Sequence, residues 1–167
     1  KGFKIRVPAS AMFEDCFKSL GAVPSAINTN KLYDALKTGQ VEGQENPLAI
    51  INSARLYEVQ KYCSLTNHVW DAYWILGNRK AMERLPKDIQ EIVRRELDKA
   101  ATDERADIAA LSVSLRTDLS TKGVQMIEPD KKAFKDALAK GTFYKDLRTK
   151  FGDEAWKLLQ DSVGNLG

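Results

Sequence analysis

The sequence predicts an α/β fold in which a mostly parallel sheet is covered by helices and two lobes are joined by a long helix. Three observations carry this. Short apolar runs alternate with helical-period segments through residues 1–54, in the order strand–helix–strand–helix–strand–helix. A single helical pattern over 87–122 contains no Gly or Pro. A late strand run at 124–127 follows it, so one lobe draws on two separated stretches of chain.

Residues 4–7 read as the first strand, ended by Pro8. It carries one cation, Arg6, on a short apolar run, and a charge placed there needs a reason. Residues 11–20 read as an amphipathic helix, with Met12, Phe13, Cys16, Phe17 and Leu20 at helical spacing, Ser10 as N-cap and Gly21 as stop. A strand over 23–27 leads into the polar loop Asn28-Thr29-Asn30, whose last residue is placed to cap a helix over 31–38. Gly39 then supplies the left-handed residue that ends this helix. Residues 41–44 are a third strand, and Gly43 permits a tight backbone or close approach to a ligand. Asn46 reads as the cap, and Pro47 as the first residue, of a helix over 47–54. Polar side chains thus gather where a strand ends and a helix begins, which is where α/β proteins hold ligands.

Further along, 62–69 and 72–76 read as extended, with Trp70, Tyr73 and Trp74 close together, before a Gly77-Asn78 turn and a short helix over 79–85. Pro86 opens the long helix. Ile89, Val93, Leu97, Ala100, Ile108, Leu111, Leu115 and Leu119 keep steps of three and four, with Glu104 filling the one gap. At ~1.5 Å per residue this is about 50 Å of helix, longer than a small lobe is wide. It bridges two lobes or forms a dimer seam. Gly123 ends it, and the 124–127 strand returns to an earlier sheet. Asp130 caps a helix over 130–140, and helices over 143–151 and 153–159 place Phe143, Leu147, Phe151, Trp156 and Leu159 to pack back on the sheet.

Composition excludes several functions. A chain of 167 residues with 43% apolar and 29% charged residues is an ordinary globular domain, or slightly more than one. The net charge is +3, and acids are mixed among the bases, so no basic face marks a nucleic-acid partner. Cys16 and Cys63 lack metal spacing and read as small buried apolar residues. No run approaches the ~20 apolar residues of a membrane span. The chain opens on a Lys-Gly turn without methionine or leader, which reads as a polypeptide cut at a loop. One histidine, with no serine–acid or cysteine pairing beside it, leaves no nucleophile system. No cofactor or metal is implied.

Two stretches carry a family resemblance. Lys1-Gly2-Phe3-Lys4-Ile5-Arg6-Val7-Pro8 resembles the "KG-x-KIRVP" segment of the solute-binding subunits of TRAP (tripartite ATP-independent periplasmic) transporters, the DctP type. Residues 32–47, from Leu32-Tyr33 to Gln44-Glu45-Asn46-Pro47, resemble that family's "LY-x-AL-x-TG-x-VDGQENP". Tyr57 to Tyr62 and Leu65-Thr66-Asn67-His68 continue the likeness, which runs the length of the chain.

The resemblance implies a periplasmic-binding-protein-like two-lobed fold, a periplasmic location, and a receptor that closes on an organic acid and passes it to a membrane permease. It implies that Arg6 grips the ligand carboxylate with both arms of its fork and that Asn46 hydrogen-bonds the ligand. Thr29 stands where the family usually has a stacking aromatic, and Lys31 stands where a glutamate is common. The smaller Thr29 leaves room for a bulkier acid, such as an aromatic or sugar acid. His68 falls where some members place a histidine in the water network near the ligand, and Trp70, just beyond it, is the aromatic expected to face the cleft. The family's roughly doubled length implies an N-terminal half preceding Lys1. On this reading residues 1–85 are the ligand-binding lobe, 86–122 the lobe-spanning helix, and 123–167 the returning strand and C-terminal helices. Two readings stay beside it: a small α/β enzyme acting on an organic acid through His68, and a module that forms a homodimer through the long helix.

Overall fold

The computed structural model describes residues 1–70 and 72–166. The expected third stretch ends at residue 167, outside this range. Strand β1 (Lys4–Val7) lies at the centre of a three-stranded parallel sheet, between β2 (Val23–Ala26) and β3 (Gly43–Gln44). Helix α1 (Ala11–Ser19) connects the first two strands and packs on both. Ser10 occupies its N-cap position, but only the Ser10 carbonyl is used, accepting from the Glu14 N–H at 3.1 Å; its hydroxyl makes no capping bond.

The route from β2 to β3 departs from expectation at one point. Residues Thr29–Lys31 form a tight 3₁₀ turn, closed by the Lys31 N–H on the Asn28 carbonyl at 2.9 Å. Asn30 lies inside that turn, so helix α2 (Leu32–Lys37) starts at Lys31 without a side-chain cap. It ends as expected at Gly39, whose φ of 73° is the left-handed geometry a Cβ disfavours. At Gly43 the backbone is tightly approached: a Cβ there would sit 2.7 Å from the Phe3 ring, which would have to move aside.

Helix α3 (Leu48–Ser53) begins one residue later than the Asn-Pro pair predicts. Pro47 is extended (φ −60°, ψ 151°) and is itself the cap, its carbonyl accepting from the N–H groups of Ile50 and Ile51 at 3.0 and 3.1 Å. Asn46 is thereby freed from capping.

Strand β4 (Tyr62–Ser64) pairs in parallel with β5 (Gln125–Ile127), in the register Cys63↔Met126. The late strand therefore does not rejoin the first sheet; it makes a separate two-stranded one. The cause is the core that seats it. Leu32, Ala35, Leu36, Val41, Ile51, Leu56, Leu119 and Val124 form one buried cluster, with Cys63 and Met126 packed against it. Residues 72–76, expected as a strand, have no regular structure and expose Tyr73, Trp74, Ile75 and Leu76. A strand needs a neighbour to satisfy its backbone groups, and no strand pairs with this segment among the described residues.

Helix α4 (Arg79–Glu83) is capped by Asn78, and Pro86 precedes α5 (Lys87–Thr121), a helix of 35 residues. Its C-terminal end is buried through Leu115 and Leu119 as it packs on α3, and near its start Gln90 is buried, donating from Nε2 to the Leu85 carbonyl at 2.9 Å. Ile89, Ile92, Leu97, Ile108 and Leu111 all stay exposed. Helices α6 (Lys131–Lys140), α7 (Phe143–Phe151) and α8 (Asp153–Val163) follow, with the expected Asp130 cap accepting from the Ala133 N–H at 3.1 Å. They do not return to the sheet. Helices α6 and α7 lie on α1 and α8 lies on α7, so α1 separates all three from the strands. Phe143 and Trp156 are buried there, while Phe151 and Leu159 face outward.

Candidate functional site

All three strands of the first sheet run parallel, so their C-terminal ends lie at one edge. Polar residues follow or occupy those ends: Arg6 in β1, Thr29 beyond β2, and Gln44, Glu45 and Asn46 at and after β3. The sheet register sets Arg6 beside Ser25 on one neighbour and Gln44 on the other.

Arg6 is the centre of this edge. It is one of two buried polar or charged residues among those described, only 4% exposed. Its Nε donates to the Ile27 carbonyl at 2.7 Å and its Nη2 to Thr29 Oγ1 at 3.4 Å. These two bonds fix the plane of the guanidinium. No carboxylate forms an ion pair with it among the described residues. No buried side-chain nitrogen or oxygen there lacks a hydrogen bond. Nη1, which makes none, therefore reaches solvent. Burial pulls the guanidinium below its usual pKa, and the charge of Glu45 pulls it partly back. An arginine remains protonated across the physiological range regardless.

The loop after β3 supplies the next groups. Asn46 Nδ2 donates to Gln44 Oε1 at 2.6 Å, which holds the two amides together at the edge of the sheet. Glu45 turns the other way. Its side chain, 13% exposed, lies 3.4 Å from His68 Nε2, and its charge reaches α1, where burial first and this charge second raise the Cys16 thiol pKa. His68 shares one hydrogen bond, 2.7 Å between Nδ1 and Thr66 Oγ1, and its ring makes a T-shaped contact with Phe17, centroids 5.5 Å apart. Asn67 between them has φ 48°, a left-handed conformation that asparagine tolerates and that turns Thr66 and His68 toward each other.

The expected site residues thus separate into groups. Arg6 and Thr29 are bonded to each other, Asn46 joins them through the sheet register of Gln44, and His68 is tied in through Glu45. Trp70 is 87% exposed and has no ring partner among the described residues. Two contributors escaped the sequence reading. The Ile27 carbonyl holds Arg6 and leaves no trace in sequence, because every residue has a carbonyl. Thr66 was legible only as a hydroxyl two residues before the single histidine.

The chain matches, over residues 1–146, the family described as bacterial extracellular solute-binding protein, family 7. A solute-binding protein of Roseobacter denitrificans is 35% identical over 139 residues, 81% of this chain and 42% of that protein. Among solved structures, a TRAP periplasmic solute-binding protein of Polaromonas sp. JS666 with bound D-erythronate superposes with a TM-score of 0.85 at 28% identity, covering 95% of this chain and 52% of that one. One from Pseudomonas putida F1 with bound D-glucuronate gives a TM-score of 0.80 at 30% identity, covering 99% and 53%. The chain spans about half the length of these relatives.

Proposed function

The chain belongs to the bacterial extracellular solute-binding proteins of family 7, and we propose that it is the half of a TRAP receptor that anchors an organic acid by its carboxylate. One observation supports this above the others: a buried guanidinium, held flat by a carbonyl and a hydroxyl, with no acid paired to it and one arm at solvent. Leaving a charge in that state is costly unless a partner arrives. A carboxylate fits the fork, and a cleft that closes over the pair strengthens it by removing water.

The surroundings narrow the acid. Thr29 puts a small hydroxyl where a large ring would crowd the ligand, and the Gln44–Asn46 amide pair offers a donor and an acceptor to hydroxyl groups. A hydroxylated monocarboxylate, of the class that D-erythronate and D-glucuronate represent in the relatives, suits this set. His68 and Trp70 would approach the ligand from the segment after β4. The whole receptor adds an upstream half, works in the periplasm and delivers its ligand to the TRAP permease. Residues 1–85 serve as the ligand-binding lobe, 86–122 as the lobe-spanning helix, and 123–167 as the returning strand and C-terminal helices. The exposed stripe of α5 is where the upstream half rests. Were a second copy to rest there instead, sedimentation would give a dimer that Ile108→Glu with Leu111→Glu dissolves.

The test is a thermal-shift panel of organic acids on the full-length receptor, with Arg6→Ala run beside it. A shift with hydroxylated monocarboxylates that vanishes in the variant supports the reading. No shift with any acid, or one indifferent to Arg6, overturns it.

A further inference from the structure

A guanidinium carries five N–H donors in one rigid plane, so the edge it spends inside the protein decides the edge it offers outside. In Arg6 the side edge is spent: Nε donates to the Ile27 carbonyl at 2.7 Å and Nη2 to Thr29 Oγ1 at 3.4 Å. The end edge, formed by the second N–H of Nη2 and an N–H of Nη1, is left. Thr29 is the one side chain that holds Arg6 among the described residues. The backbone on both sides of Thr29 sets its hydroxyl there. Before it, the Ile27 N–H bonds to the Val7 carbonyl at 3.3 Å, which carries the β1–β2 pairing one residue past Ala26. After it, the 3₁₀ turn closes from the Lys31 N–H to the Asn28 carbonyl at 2.9 Å, and Leu32, 1% exposed, anchors the far side of the turn in the core.

We propose that Thr29 is a positioning residue: its hydroxyl holds Nη2 so that the end edge of Arg6, Nη1 with Nη2, faces the ligand carboxylate. The inference rests on the receptor reading above. One hydrogen bond is a pivot, and two fix a plane. Without Thr29 Oγ1 the guanidinium turns about its bond to Ile27 and the end edge loses its aim. The ligand then binds only the molecules in which the edge is still aligned, and its apparent affinity falls by that fraction. If alignment drops to ~20%, the loss is about fivefold. Thr29 works through Arg6 and does not touch the acid. The two hydrogens of Nη2 point about 120° apart, so a carboxylate oxygen ~2.8 Å from Nη2 sits about 5 Å from Thr29 Oγ1, beyond hydrogen-bond reach.

The experiment uses the full-length receptor with Thr29→Val, which removes the acceptor at similar volume, and Thr29→Ser, which keeps it. Crystal structures without ligand come first. In Thr29→Val the Arg6 guanidinium should be turned about its bond to Ile27, and in Thr29→Ser it should keep the plane of the unaltered protein. An unmoved guanidinium in Thr29→Val overturns the proposal. Calorimetric titration with D-glucuronate follows. Thr29→Val should weaken binding about fivefold, and Thr29→Ser should stay within about twofold of the unaltered protein. No loss in Thr29→Val, or an equal loss in Thr29→Ser, overturns it. In crystals of the D-glucuronate complex the two carboxylate oxygens should lie on Nη1 and Nη2, with no ligand atom bonded to Thr29 Oγ1. A ligand atom on that hydroxyl makes Thr29 a direct contact and contradicts the positioning role. Should Thr29→Val not fold, Thr29→Ala takes its place with the same expected outcomes. If D-glucuronate fails to bind the unaltered protein, the ligand class falls, while the unliganded Arg6 geometry in Thr29→Val still decides the positioning role.

Discussion

The C-terminal edge of the first sheet and the described residues from Val69 to Val113 are opposites. At the sheet edge, polar groups are held by one another: Arg6 by Ile27 and Thr29, Asn46 by Gln44, His68 by Thr66 and Glu45. In the second region apolar groups have little to hold them, with Trp70, Tyr73, Trp74 and Leu76 each more than four-fifths exposed and six large apolar residues of α5, from Ile89 to Val113, exposed as well. The first region is finished within this chain except for one arm of one guanidinium. The second has buried almost none of the surface that would stabilise it. A stripe that is apolar yet exposed over several helical turns is the kind of surface that interaction sites use.

That contrast can be tested by cutting into each end of α5. Leu119 is fully buried among Ile51, Leu56 and Val124, so Leu119→Ala should cost about 2–5 kcal/mol, read from denaturant melts of this chain. Asp130→Ala removes an observed cap on α6 and should cost about 1 kcal/mol. Ile108→Glu and Leu111→Glu should each move the stability of this chain by about 0.5 kcal/mol or less, because neither is buried here. The same pair in the full-length receptor should cost several times more, and equal costs in both would break the comparison. Ser10→Ala should be the smallest change, a few tenths of a kcal/mol, since its hydroxyl caps nothing.

Much of the fold was legible because its signals are local. Gly39 and Gly123 end their helices where the pattern stops, and Asp130 caps where a short polar side chain precedes a helical period. The parallel β1–β2–β3 sheet followed from alternation of strand and helix. What misled were residues whose roles depend on the neighbour rather than on themselves. Asn30 and Asn46 both look like caps, but a 3₁₀ turn absorbs one and Pro47 displaces the other. The 72–76 run has the composition of a strand and no strand beside it. Gly43 reads as a tight backbone or a close approach to a ligand, and only the structure shows the Phe3 ring against it. At the site, Arg6 was visible as a charge on an apolar strand, whereas its lack of an acid partner among the described residues depends on where their carboxylates end up.

The central claim is that the Arg6 fork receives a carboxylate, and one comparison tests it most directly. The acid selected by the thermal-shift panel and its uncharged amide would be titrated calorimetrically into the full-length receptor and its Arg6→Lys variant. Lysine keeps the charge and loses the fork. The account predicts that the variant loses about 2–4 kcal/mol of affinity for the acid while its weak binding of the amide hardly changes. Equal losses for acid and amide, or no loss for either, would contradict it.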